Sequence, residues 1–148
     1  MNHEKYPLQT DSKSLIFEFK SKGTKGIVRK IIQYSPTRID GVYNLGFGDF
    51  DEITGELNDV TVTNNGDTNK VLATVASTVS LFFEKHPNSS VYVEGSTPVR
   101  TRLYRIGITN NLLEIRSNFE IYGLVINEWE KFDPKKDYVA FLIRKKKL

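Results

Sequence analysis

Between Thr68 and Lys85 the apolar residues Val71, Leu72, Val75, Val79, Phe82 and Phe83 recur at helical intervals, the spacing of a helix with one apolar stripe. Ahead of this segment the interval is two. Leu15, Phe17 and Phe19 alternate with polar residues, as do Tyr43, Leu45 and Phe47, which is the pattern of strands with one buried face. An apolar stripe and apolar strand faces must be buried against one another. This switch of period limits the chain to a sheet with helix packed on it. The helix bounds are marked: Asp67 suits an N-cap, and His86-Pro87 stops the run.

The remaining elements follow from the same signals. Strands are predicted at 14–19, 27–34, 43–50 and 57–63 before the helix, and at 90–95 after it. A second helix opens at Thr97-Pro98, an N-cap and first-turn pair, and runs to about Ser117, loosened near Gly107 and Asn110-Asn111. Two last strands are predicted at 119–129 and 138–144. The order is ββββαβαββ, with no internal repeat. We therefore expect an α+β fold: a single domain with a largely antiparallel curved sheet and two helices packed on one face. At 148 residues the chain is one domain long. Flexibility is expected only at its ends, residues 1–12 and the basic tail 144–148.

Composition removes several chemistries. There is no Cys, which excludes disulfides, thiolate nucleophiles and Cys-ligated metals. The two histidines, His3 and His86, are too few for a multi-histidine metal centre. No G-x-S-x-G elbow and no P-loop are present. The start of the chain lacks the apolar stretch of a signal peptide, and no apolar run approaches the ~20 residues of a membrane span. A cytoplasmic protein without membrane contact is expected, in line with the missing cysteines.

Charge is segregated. The formal net charge is only +3. Seven bases and one acid lie between Lys13 and Arg38, and seven acids and no base between Asp40 and Asp67. The strongest constellation is Gly95-Ser96-Thr97-Pro98-Val99-Arg100-Thr101-Arg102-Leu103-Tyr104-Arg105. A strand ends, small hydroxyl residues turn the chain, and a helix starts with its free N–H groups at the turn. Cations are unfavourable at a helix N-terminus, so arginines tolerated there suggest an anionic partner. Ser96, Thr97, Arg100, Arg102 and Arg105 are the candidate phosphate-binding residues. Lys22, Lys25, Arg29 and Lys30, interleaved with aromatic rings, could support a nucleic-acid strand. The expected partner is thus nucleic acid or a phosphorylated small ligand, with no cofactor. The competing expectation is that Arg100 and Arg102 pair with the acidic block.

Two further readings stay open. Asp49, Asp51 and Glu94 could hold Mg²⁺ in a metal-dependent, toxin-like nuclease. The strand-then-helix order is similar to that of RNase H-like nucleases, although that fold needs further carboxylates and continues differently. Alternatively, the acidic hairpin and basic tail could serve a protein-interaction module or a homo-oligomer.

The segments Tyr43–Asp49, Thr63–Ala76 and Gly95–Arg105 resemble a bacterial family of small proteins of unknown function, over nearly the whole chain. That resemblance implies no activity. The opening ββββα order is also similar to PUR- and whirly-type single-strand binders. The likeness is topological and ends in the second half, where βαββ follows instead of a repeat.

Overall fold

A computed structural model describes residues 4–58 and 64–146. Five strands come first: β1 (Gln9–Thr10), β2 (Ile16–Gly23), β3 (Gly26–Pro36), β4 (Val42–Asp51) and β5 (Glu56–Asn58). Helix α1 (Thr68–Lys85), β6 (Ser90–Val93), α2 (Pro98–Asn110) and α3 (Leu112–Asn118) follow. The chain closes with β7 (Phe119–Val125), β8 (Glu128–Lys131) and β9 (Ala140–Lys145). The fold is α+β, as its hydrophobic periods require, with a nine-stranded open sheet in the order β1-β2-β3-β4-β6-β9-β7-β8 and β5 on β4. Among the described residues all pairings are antiparallel except β4 with β6. That parallel join is bridged by α1, because parallel neighbours need a crossover longer than a hairpin turn.

Alternation along each strand sends Phe17, Phe19, Ile32, Tyr34, Leu45, Phe47, Val91, Val93, Ile121 and Ile143 to one face. There they form a single core with the α1 stripe of Val71, Val75, Val79, Phe82 and Phe83. Rings lock this interface. Tyr34 stacks on Phe82 with centroids 4.4 Å apart, and Phe83 tilts against Phe119 at 5.0 Å. Such aromatic pairs add about 0.5–1.5 kcal/mol beyond area burial. The Tyr34 hydroxyl meets Thr78 Oγ1 at 2.7 Å, and burial pushes its pKa upward. The opposite face carries Ile16, Gln33, Tyr92, Tyr122 and Trp129, all at least partly exposed.

Several expectations need revision. The second predicted helix is two helices, broken at Asn111, whose side chain donates to the Gly107 carbonyl at 2.8 Å instead of facing water. The predicted strand 119–129 is a hairpin, β7–β8, turned at Ile126 with φ of 55°. The strand predicted at 57–63 is described only as Glu56–Asn58; residues 59–63 lie outside the described residues. Asp67 does precede α1, but its side chain makes no cap hydrogen bond. It accepts instead from the Tyr6 and Ser21 hydroxyls, the latter at 2.6 Å. Tyr6 is buried, stacks on Phe19 at 5.5 Å and donates its N–H to Thr74 Oγ1 at 2.8 Å, so the N-terminal segment expected to be loose is fastened there. At the other end Arg144 and Lys145 belong to β9, and the Lys146 N–H bonds the Asn118 carbonyl at 3.0 Å. Lys147 and Leu148 lie outside the described residues.

Candidate functional site

Strand β6 ends at Val93, and α2 begins five residues later. Thr97 caps the helix as its sequence position requires, its side chain accepting the Arg100 N–H at 3.2 Å, with Pro98 in the first turn. Gly95 makes the turn possible. Its N–H reaches Thr101 Oγ1 at 3.0 Å. A Cβ on Gly95 would sit 2.6 Å from the Arg100 carbonyl carbon and nearer still to the Thr101 nitrogen. No side chain fits there, so glycine is a steric requirement.

The turn borders a cavity of about 650 Å³ lined by Ser96, Thr97, Arg102 and Arg105 together with Glu94, Asp137 and Tyr138. Arg105 is held from the linker between β8 and β9. Its Nη1 donates to the Pro134 carbonyl at 3.3 Å, and its Nη2 lies 3.5 Å from Asp137 Oδ1. The Arg105 Nε is buried with no partner. Arg102 is exposed and makes no hydrogen bond or ion pair among the described residues. Two guanidinium groups with unused donors therefore meet two hydroxyls and the start of a helix at one cavity.

Arg100 is not among them. It points away from this cavity, is 7% exposed, and donates through Nη2 to the Phe47 carbonyl of β4. The structure brings Ser96, Thr97, Arg102 and Arg105 together and leaves Arg100 in the scaffold. Tyr104 is in the core.

The supporting bases do not form one surface. Lys30 is 1% exposed on the helix side of the sheet, its Nζ 2.6 Å from Asp49 Oδ1. Arg29, one residue earlier, faces the other side. Its Nε bonds Glu18 at 2.7 Å, its Nη1 lies 3.3 Å from Glu52, and its guanidinium sits 4.0 Å from the Phe50 ring centroid. Lys22 and Lys25 are exposed at the β2–β3 turn. The acidic block is thus met in part by bases of β3, and not by Arg100 or Arg102.

The three carboxylates of the nuclease reading have separate tasks. Asp49 pairs with Lys30. Asp51 Oδ1 accepts the Ile53 and Thr54 N–H groups at 2.8 and 3.2 Å, shaping the β4–β5 turn. Glu94 accepts the Tyr92 hydroxyl at 2.6 Å; burial and this contact push Tyr92 up to about 12. Among the described residues no group of three or more His, Asp and Glu is placed to hold a metal ion.

Sequence reasoning missed the far wall of the cavity. Tyr138 packs over Gly123, where a Cβ would clash with its ring. Its hydroxyl accepts the Asp133 N–H at 2.9 Å and donates to Glu130 at 2.9 Å. The available signal was Gly123 itself, since a glycine inside a strand marks a close approach.

The model of a family of unknown function (DUF6934) matches residues 2–146. The chain belongs to this family. The match covers the resemblance carried by the Gly95–Arg105 and Thr63–Ala76 segments, and the family brings no activity with it. No curated protein and no solved structure matches the chain. Among the described residues no helix is long and apolar enough to cross a membrane.

Proposed function

We propose that this protein binds a phosphate-bearing ligand at the cavity beside the first turn of α2. The observation that supports the reading is the meeting of Ser96, Thr97, Arg102 and Arg105 at one cavity, with Arg105 Nε buried and unpartnered. The helix start offers N–H groups and the positive end of its dipole. Arg102 and Arg105 supply forked donors suited to phosphate oxygens. A volume of about 650 Å³ suits a mononucleotide-sized molecule or the terminal phosphate of a nucleic-acid chain. A strand tracked across the sheet has less support, because Lys30 is buried and Arg29 is occupied by Glu18 and Glu52. Metal-dependent cleavage likewise has less support, since Asp49, Asp51 and Glu94 each serve a neighbour. A cytoplasmic setting, where phosphorylated metabolites and nucleic acids are abundant, goes with this reading.

Calorimetric titration tests it, with a nucleoside 5′-monophosphate, the matching nucleoside, and oligonucleotides with and without a 5′-phosphate. Binding should require the phosphate and weaken with salt. The Arg102→Ala/Arg105→Ala variant should lose affinity by at least about 100-fold, at roughly 1.5–3 kcal/mol for each charged hydrogen bond. Equal affinity for nucleoside and nucleotide, or unchanged affinity in the folded double variant, would contradict the reading.

A further inference from the structure

The cavity beside the first turn of α2 has a neighbour. A second cavity, of about 510 Å³, shares Thr97 and Arg102 with it. Three cations line this second cavity. Lys30 is 1% exposed and Arg100 7%, whereas Arg102 is exposed, so Arg102 is the one a ligand can reach. An anion held by Arg102 and Thr97 therefore stands at the border of two cavities. A phosphate in that place has room for a substituent on either side.

The two cavities differ in chemistry. The first is polar, with Ser96, Arg105, Glu94 and Asp137 in its lining. The second has an aliphatic wall: Val71 and Leu72 come from α1, and Val99, Leu103 and Ile106 from α2. The three α2 residues fall at i, i+4 and i+7, the spacing of one helix face, while α2 packs in the core through Tyr104 and Ile108. Val99 is 77% and Ile106 37% exposed, so this stripe is not used by the core. Phe47, the only ring among the described residues that line the second cavity, is itself 1% exposed, which leaves a base nothing to stack on. Lys30 is engaged by Asp49 at 2.6 Å, and Asp67 accepts from Tyr6 and Ser21. An uncharged arm leaves these pairs undisturbed. We infer that the ligand is a phosphodiester with two unlike arms. Its phosphate sits on Arg102 and Thr97. A polar, nucleoside-like arm lies in the first cavity with Arg105, and an aliphatic arm lies along Val99, Leu103 and Ile106. The inference rests on phosphate binding at Arg102 and Arg105 and adds to it the class of ester.

The test is calorimetric titration of the full chain with adenosine 5′-(methyl phosphate) and adenosine 5′-(octyl phosphate), which carry the same charge. The octyl ester should bind at least tenfold tighter, since each fully buried methylene contributes about fourfold. Val99→Gln/Ile106→Gln, at two exposed positions, should abolish that gain and leave the affinity for the methyl ester unchanged. In methyl NMR of the wild type the Leu103 resonances should shift with the octyl ester and not with the methyl ester. Equal binding of the two esters, a gain that survives in the folded double variant, or Leu103 resonances that stay fixed would each overturn the inference while phosphate binding stands. A methyl ester that binds no tighter than adenosine, or equally well to Arg102→Ala/Arg105→Ala, overturns phosphate binding itself and the inference with it.

Discussion

Arg100 and Arg102 stand two residues apart at the start of one helix and face opposite duties. Successive residues of an α-helix are about 100° apart, so these two side chains leave the axis roughly 200° from each other. Arg100 turns inward, holds the Phe47 carbonyl of β4 and sits near the Lys30–Asp49 pair. Arg102 is exposed, and it borders both the cavity lined by Arg105 and the one lined by Arg100. Arg100 fastens the helix to the sheet from a buried position, whereas Arg102 offers its donors from an exposed one. A cluster of like residues in sequence is therefore not a cluster in space. Helical phase decides which arginine is scaffold and which is free for a ligand.

Substitutions on the two sides should separate stability from binding. The largest loss is expected for Asp49→Ala, which takes the carboxylate from a lysine with 1% side-chain exposure. Breaking such a pair costs about 3–5 kcal/mol, read as a lower urea midpoint. Gly95→Ala comes next, at about 2–3 kcal/mol, because its Cβ would press on the α2 backbone at Thr101 and Arg100. It should damage both sides together, since Gly95 sets where α2 starts. Arg102→Ala should change stability by under about 0.5 kcal/mol, as expected of an exposed position without partners, while weakening the phosphate ligand. The smallest effect concerns the far wall. Hydrogen bonds from Lys136 and Tyr138 hold the Glu130 carboxyl below its ordinary value of 4.5. A lowered folded-state value contributes stability above the ordinary value, and that contribution disappears as pH falls below it. Glu130→Gln should therefore lower the thermal midpoint slightly at neutral pH and flatten its decline on acidification below about pH 4.5. An unaltered acid limb would sever Glu130 from the wall.

Much of the fold was legible because its hydrophobic periods are clean. The α1 bounds, 68–85, followed from its stripe, Asp67 and His86-Pro87, and strands β2 to β4 followed from alternation. The β7–β8 hairpin was not legible: its turn uses Ile126 at positive φ, where sequence signals lead one to expect Gly or Asn. Nor does local patterning report that β4 and β6 lie side by side and parallel; that is a long-range pairing. At the candidate site, Thr97 and Pro98 announced the helix start, and Gly95 the turn. The division among the arginines was hidden by α2's two faces. The Val99–Leu103–Ile106 stripe looks like the buried one, whereas Arg100, Thr101, Tyr104 and Ile108 are the residues packed inward. Tyr138 reached the cavity wall through the loop after β8, beyond the range of any local motif.

The most direct test of this division is a thermal-shift comparison of the wild type, Arg100→Ala and Arg102→Ala, each with and without a nucleoside 5′-monophosphate. A ligand that binds only the folded state raises the midpoint. The account predicts a crossed result: Arg100→Ala melts earlier but keeps its ligand-induced rise, while Arg102→Ala melts with the wild type and loses most of that rise. The reverse pattern, a stable Arg100→Ala that no longer responds and a destabilised Arg102→Ala that does, would contradict it.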